Sequence, residues 1–112
     1  MNDTSITRGD IWWVSLDPTQ GSEIKKTRPC VVLTHNTLNT LRKTVVVVPL
    51  SSAARPHPPI TVPVTCLKRE VVVVIDQIRA VAKHRFKSKI ETLSSDDLYS
   101  IIRALSAILE IR

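Results

Sequence analysis

Two runs of four consecutive valines, at positions 45–48 and 71–74, restrict the fold more than any other feature of this sequence. Valine favours β-strands, and a strand without alternating polar residues must be covered on both of its faces. A chain of 112 residues has little material with which to cover two such strands. We therefore expect a homodimer interface to cover them. The alternative is that both strands are doubly buried within one closed barrel.

Other short strand patterns recur along the chain at intervals of roughly ten residues. We expect strands at 11–16, 29–35, 44–50, 60–66 and 70–77, with a sixth short element at 80–82. The segment 36–43 is predicted to be a short helical turn or a long hairpin loop. Three prolines make 53–59 a loop, because proline lacks a backbone donor and fixes φ. The cationic segments 42–43, 68–70 and 83–89 fall at the ends of apolar runs, where loops are expected.

The C-terminal region changes to a helical period. Its apolar residues recur at the 3, 4 and 7 spacing of one helix face: Leu98, Ile101, Ile102, Leu105, Ile108 and Leu109. Ser94 and Asp97 have the spacing of a capping box at the start of this helix. The sequence thus predicts one domain over 1–112, mainly β, in which a small, strongly curved barrel or sandwich carries a C-terminal helix.

Charge and cysteine content restrict the partners and the location. Sixteen Lys and Arg against ten Asp and Glu give a net charge of +6, which favours a polyanionic partner. Cys30 and Cys66 stand in apolar stretches and are predicted to be buried free thiols, and no Cys/His cluster with the spacing of metal ligands accompanies them. The chain has no apolar run long enough for a bilayer and no signal-peptide pattern in its first ten residues, so we expect a cytoplasmic protein without membrane contact.

The segment "KKTRPCVVL" draws attention to Arg28. Pro29 biases the preceding residue towards an extended conformation, and the following strand anchors its backbone. A guanidinium projecting from such a rigid base suits a phosphate group. The alternative is that Arg28 is solvated at the strand end or pairs with Glu23.

Three segments, "RGDIWWVSLDPTQGSEIKKTRPCVVL" (8–33), "VVVVPLSS" (45–52) and "VVIDQIRAV" (73–81), together resemble the MazF/PemK family of toxin endoribonucleases. The order and the spacing are comparable over nearly the entire chain. The resemblance implies a dimeric, SH3-like small barrel of five to seven strands with a C-terminal helix. It also implies metal-independent, cofactor-free cleavage of single-stranded RNA at short motifs, leaving a 2′,3′-cyclic phosphate and a 5′-hydroxyl, and neutralisation by a cognate acidic antitoxin.

The resemblance assigns catalytic roles to Arg28, Ser51 and Asp76. Arginine has a reference pKa above 12, so we expect Arg28 to stabilise negative charge rather than to accept a proton. Ser51 stands where the family usually has threonine, and its hydroxyl would donate to the same phosphate. The aspartate of the "DQ" pair would assist the chemistry, with Glu23 as the other available carboxylate. Some relatives carry an arginine where this chain has Val74, so a second cationic catalytic group is not carried over.

RNA contacts are expected from loops around the same pocket and from one tryptophan. Adjacent residues in a strand point to opposite faces, so one of Trp12 and Trp13 is core and the outward ring is available to stack on a base or to pack at the dimer interface. Ser22 replaces an occasional family histidine, and the three histidines are expected at the surface or in loops. The predicted RNA-binding residues are Trp12, Ser22, Glu23, Lys25, Lys26, Ser52, Arg55, Gln77 and Arg79.

Two other functions fit the same fold. CcdB-like proteins inhibit DNA gyrase through protein contacts that depend on C-terminal residues, whereas this chain keeps the "RP" arginine and the hydroxyl at the strand end. The second alternative is an RNA-binding protein with little or no catalytic activity, which the departures at Val74 and Ser51 would permit.

Overall fold

A computed structural model describes residues 5–16 and 27–111. Seven antiparallel strands form one curled sheet in the order β4-β5-β3-β2-β1-β7, with β6 pairing the first half of β3. The strands are β1 Asp10–Ser15, β2 Thr27–Val32, β3 Thr44–Ser51, β4 Thr61–Cys66, β5 Arg69–Val74, β6 Arg79–Ala82 and β7 Phe86–Thr92. The predicted mainly β fold with a C-terminal helix is confirmed.

Two α-helices and two 3₁₀ turns complete the described structure. Helix α1, Asn36–Leu41, connects β2 to β3, and His35 caps it by accepting a hydrogen bond from the Thr37 amide at Nδ1. The 3₁₀ turns are Ile75–Gln77 and Lys83–Arg85. Helix α2, Ser95–Leu109, begins at Ser94, whose hydroxyl accepts from the Asp97 amide as the capping pattern predicts. Within the described residues, no helix is long and apolar enough to cross a membrane.

The sheet is buried on both faces. One core lies between the sheet and α2 and contains fully buried side chains such as Val31, Val73 and Ile101. The other core forms where the sheet curls on itself, around Trp12 and Cys30, and Phe86 packs edge-on against the Trp12 ring. The curled sheet therefore has two apolar interiors instead of one apolar face and one polar face.

The two cores correct our expectation for the valine runs. Val45 and Val47 are fully buried in the second core, and Val48 is fully buried in the first. The first run is thus covered on both faces by its own chain. In the second run Val72 and Val73 are also buried within one chain. Val46, Val71 and Val74 stay half-buried in the single chain. Burial within one chain therefore covers most of both runs, and a homodimer interface over the remainder stays a prediction.

The predicted strands were placed within a few residues, but β7 was missed. We assigned the cationic segment 83–89 to a loop, whereas Phe86–Thr92 pairs with β1 along its length. Lys87 and Lys89 are exposed and Glu91 is half-buried, and pairing with β1 supplies the backbone hydrogen bonds that strand propensity alone does not predict. The β1 edge is thereby closed, and β7 leads directly into α2.

Candidate active site

The pairing register of β2 and β3 brings Arg28 and Ser51 together. Cys30 pairs with Pro49 and Val32 pairs with Val47. This ladder ends at Cys30 and Pro49, and β3 then pairs with β5 at Leu50 and Ser51. Arg28 and Ser51 each lie two residues beyond the last pair of β2 and β3, and both line one cavity. The arginine before the proline and the hydroxyl at the strand end are therefore neighbours although they lie far apart in sequence.

A cavity of about 310 Å³ lies at this end of β3. Arg28 and Ser51 both line it, and so does Gln77 from the 3₁₀ turn after β5. Val74 supplies an apolar wall at the position where some relatives have arginine. The complete lining is Arg28, Pro49, Leu50, Ser51, Ala54, Thr61, Val74 and Gln77. A guanidinium group, a hydroxyl and an amide thus line one cavity, which is large enough for a phosphate and part of a nucleotide.

The hydroxyl of Ser51 is oriented by the loop that follows it. Its Oγ accepts hydrogen bonds from the amides of Ala53 and Ala54, both at 3.1 Å. With its oxygen engaged by two donors, the hydroxyl has its hydrogen left for donation to a further acceptor. Ser51 therefore turns the chain at the end of β3 and offers a donor to a bound anion.

The thiol of Cys30 is buried in the second core. Burial raises its pKa to about 12, and the positive charges of Arg79 and Arg28 oppose that rise. Cys30 therefore stays protonated at neutral pH, and its burial as a free thiol confirms the sequence prediction. Arg79 pairs with Val47 from β6, on the other side of β3 from Arg28.

The second thiol, Cys66, is buried at the other end of the molecule. Burial raises its pKa, and the neighbouring Glu91 carboxylate raises it further. Both cysteines are free. In the described residues no group of three His, Cys, Asp or Glu side chains has the arrangement of a metal site.

Asp76 lies next to the cavity in sequence but not in its wall. It occupies the middle of the 3₁₀ turn Ile75–Gln77, where its side chain is exposed, whereas its neighbour Gln77 lines the cavity. Ser52 and Arg55 are exposed in the loop between β3 and β4. The structure thus brings Arg28, Ser51 and Gln77 to one cavity and leaves Asp76, Ser52 and Arg55 on the surface around it.

The tryptophan pair requires a correction. Trp12 is only 6% exposed and belongs to the second core, whereas Trp13 is 40% exposed. A ring as deeply buried as that of Trp12 has no free face for a base. The outward ring of the pair is that of Trp13, so the expected RNA contact of Trp12 was wrong. Strand alternation predicts that one ring is outward, but choosing between them requires knowing which face of β1 meets the second core.

Four predicted RNA-binding residues, Ser22, Glu23, Lys25 and Lys26, lie outside the described residues. Their roles stay predictions, and so does the alternative in which Glu23 pairs with Arg28. Within the described part of the chain the one ion pair joins Lys89 to Asp10, so no described carboxylate neutralises Arg28.

Sequence reasoning missed Thr61, which lines the cavity from the start of β4. Its hydroxyl donates to the carbonyl of Arg55 at 2.6 Å and so fixes the loop between β3 and β4. The signal in the sequence was its position two residues after the proline-rich loop. A larger cavity of about 420 Å³ lies between α2 and residues 58–63.

Comparisons with family models and with known proteins agree on one family. Residues 7–109 match the family described as PemK-like, MazF-like toxin of type II toxin-antitoxin system. The Endoribonuclease MazF of Staphylococcus epidermidis is 31% identical over 105 residues, which cover 89% of this chain and 88% of that protein.

Two solved structures share the fold. A crystal structure of MazF from Deinococcus radiodurans superposes with a TM-score of 0.83 at 23% identity, covering 97% of this chain and 100% of that one. An endoribonuclease in complex with its cognate antitoxin, from a mycobacterial species, gives a TM-score of 0.80 at 20% identity, covering 96% and 97%. At these identities the structural likeness establishes the fold.

Proposed function

Because the chain belongs to the PemK-like, MazF-like toxins of type II toxin-antitoxin systems, we propose that it is a sequence-specific, metal-independent endoribonuclease. Its substrate is single-stranded RNA, mRNA included, so that it inhibits translation and growth. The observation that carries the proposal is the convergence of Arg28 and Ser51 on one cavity. A relative named as an endoribonuclease at 31% identity supports the same activity.

The proposed reaction is an internal transfer of the phosphodiester. The 2′-oxygen of the RNA attacks the adjacent phosphorus, the bond from phosphorus to the 5′-oxygen breaks, and a 2′,3′-cyclic phosphate and a 5′-hydroxyl remain. Negative charge rises on the non-bridging oxygens as the five-coordinate phosphorus forms. Arg28 offers parallel N–H donors and a positive charge to these oxygens, and the Ser51 hydroxyl offers a further donor. Gln77 faces the same cavity and is positioned to contact a base or the phosphate.

Two protons must move in this reaction. The 2′-hydroxyl gives up a proton to a base, and the departing 5′-oxygen takes one from an acid. Asp76 and Glu23 remain the candidate carboxylates. Asp76 would have to reach from the exposed side of the 3₁₀ turn, beside Gln77.

The direct test is incubation of the purified protein with a long single-stranded RNA in the presence of EDTA. We expect cuts at one short motif, with a 2′,3′-cyclic phosphate on the upstream fragment and a 5′-hydroxyl on the downstream fragment. Mapping the fragment ends gives the motif, and a phosphatase-resistant 3′ end identifies the cyclic phosphate. A double-stranded RNA of the same sequence serves as the control and should stay intact.

The same assay separates the two alternatives. Binding of RNA without any cut would identify a catalytically silent RNA-binding protein. Intact RNA together with stalled DNA gyrase would identify a CcdB-like inhibitor. Cleavage that needs a divalent cation would overturn the metal-independent part of the proposal.

A cognate antitoxin is part of the proposal. A structure with the same fold is described as an endoribonuclease with its cognate antitoxin. The net charge of +6 suits an acidic segment that competes with RNA for the cavity. We expect an excess of the acidic C-terminal segment of the antitoxin to suppress RNA cleavage, and a scrambled peptide of equal charge to suppress it much less. Unchanged cleavage with the antitoxin segment would contradict this prediction.

Two further expectations remain predictions. A homodimer is implied by the family resemblance, and sedimentation or light scattering of the purified protein would show it. A cytoplasmic location follows from the proposed substrate, since mRNA is translated there, and cell fractionation would test it.

A further inference from the structure

A group of basic side chains, three cations and a histidine, lies at the end of the sheet away from the candidate active site. Arg42 and Lys43 follow α1, and Lys83 and His84 belong to the 3₁₀ turn after β6. The two segments are joined by a hydrogen bond from the Lys83 amide to the Lys43 carbonyl at 3.0 Å. We call Arg42, Lys43, Lys83 and His84 the basic edge.

The basic edge is built around a cavity of about 460 Å³. All four of its residues line this cavity, and Arg42, Lys43 and His84 are exposed. The Lys83 ammonium group is held in place by donating to the Thr40 carbonyl at 3.4 Å. The cations thus surround a concave surface on ordered backbone.

No described carboxylate neutralises this charge. In the part of the chain that the structure describes, the one ion pair is between Lys89 and Asp10. The other described acidic residues belong to different elements: Glu70, Asp76, Glu91, Asp96, Asp97 and Glu110. The basic edge therefore presents an unbalanced positive potential to solvent, which attracts a polyanion.

Strand β3 connects the basic edge to the candidate active site. Thr44 and Ser51 are the two ends of this eight-residue strand, and at about 3.3 Å per residue they lie about 23 Å apart. Thr44 pairs with Ala82 next to the basic edge, and Val47 pairs with Arg79 halfway along. Cations on segments next to β3 therefore occur at three positions along its length. Arg28 lies at the cavity end, Arg79 lies opposite the middle, and Lys43 and Lys83 lie at the far end.

We propose that the basic edge is a second phosphate-binding surface, which holds the RNA strand several nucleotides away from the bond that is cut. The inference rests on the proposed ribonuclease function and adds to it a subsite for flanking RNA. A repeating backbone of phosphates matches cations spaced at intervals, as in other proteins that bind single strands without sequence preference. RNA is favoured over an acidic protein because Arg79, exposed on the edge strand β6, lies between the level of Arg28 and the basic edge.

The consequence is a dependence of cleavage on RNA length. A short RNA of about 4 nucleotides, with two on each side of the cut, occupies the candidate active site alone, whereas one of about 24 nucleotides also reaches the basic edge. The test compares three proteins on both RNAs, each centred on the mapped cut. They are the unchanged protein, a Lys43→Gln/Lys83→Gln variant, and a Lys68→Gln/Arg69→Gln control. The control removes two charges from an exposed site at the other edge of the sheet, one from the turn between β4 and β5 and one from the first residue of β5.

We expect all three proteins to cleave the short RNA equally. For the long RNA, the KM of the Lys43→Gln/Lys83→Gln variant should rise about tenfold at physiological salt, and the slope of log K against log salt should fall by about 1.4, because two single-strand phosphate contacts are lost. The control variant should show neither change. Equal effects of the two double variants on the long RNA, or no effect of either, would overturn the inference.

Failure of the proposed function gives a different result. If the unchanged protein cuts neither RNA, fluorescence anisotropy of the long RNA with the same three proteins still tests the basic edge. A loss of RNA affinity in the Lys43→Gln/Lys83→Gln variant alone supports RNA binding at the basic edge even if the protein has no nuclease activity. If that variant keeps its RNA affinity and instead loses binding of a polyglutamate peptide, the surface binds an acidic protein and the inference is wrong.

Discussion

Replacing Arg28 with alanine should lower the rate of RNA cleavage by about a thousandfold, the upper range for loss of one preorganised donor to a charged transition state. Arg28 and Ser51 both line the cavity, each two residues beyond the last pair of β2 and β3. No described carboxylate shares its charge, so the full charge is available to the phosphate. Single-turnover kinetics on a short RNA that contains the mapped motif would measure the loss.

The fold should survive this change. Arg28 lies at the start of β2, is only partly buried and is not one of the buried core side chains. The circular dichroism spectrum and the melting temperature should therefore stay close to those of the unchanged protein. Arg69→Ala, which removes an exposed arginine from the start of β5, is the matched control and should retain activity.

Arg28→Lys separates charge from geometry. Lysine keeps the positive charge but lacks the planar fork that bonds two phosphate oxygens together. We expect an intermediate rate, well below that of the unchanged protein and above that of Arg28→Ala. If Arg28→Ala cleaves RNA at an undiminished rate, Arg28 is not a catalytic residue and the cavity is not the active site.

The sequence was sufficient for the fold class because its patterns are local. Strand positions follow from runs of β-branched residues and helix α2 from its apolar spacing and its Ser94 cap. Strand β7 was missed because its evidence is not local. In this segment Lys87 and Lys89 alternate with less polar residues, and the segment forms a strand because it pairs with β1.

In the candidate site, too, some features follow from the sequence and others only from the fold. Family resemblance selected Arg28 and Ser51, but the pairing register of two strands is what makes them neighbours. Resemblance also selected Asp76, and the structure places that side chain on the outer side of a 3₁₀ turn. Which of Trp12 and Trp13 faces outwards depends on where the second core forms. Each of these features depends on contacts between segments that are distant in sequence. Local sequence patterns carry little information about such contacts.

The valine runs show that a sound physical rule does not say which part of the molecule supplies the cover. The rule that an all-apolar strand needs cover on both faces holds for Val45 and Val48, which lie in different cores. The mistake was to assume that one small chain has a single interior. Curling of the sheet creates the second interior, and the covering residues come from β1, β2 and β6 of the same chain.

Replacing Ser51 with alanine should lower the cleavage rate by about a hundredfold, the lower range for loss of one donor to the transition state. Its oxygen already accepts from the amides of Ala53 and Ala54, so its hydrogen is the part available to a phosphate oxygen. Alanine removes both functions, since it also leaves those two amides without their acceptor. The rate constant for the bound RNA should fall, and exposed Ser88→Ala in β7 should leave it unchanged.

Ser51→Thr distinguishes the donor from the loop support. Threonine keeps the oxygen that caps Ala53 and Ala54 and keeps the donor, and its methyl group restricts the hydroxyl to fewer rotamers. We therefore expect Ser51→Thr to cleave at least as fast as the unchanged protein, because fewer hydroxyl orientations compete with the productive one. If Ser51→Thr and Ser51→Ala are equally slow, the methyl group does not fit beside Val74 and Leu50, and crowding rather than donation limits the site. If both cleave at the full rate, the Ser51 hydroxyl only turns the chain, and Arg28 carries the charge stabilisation without it.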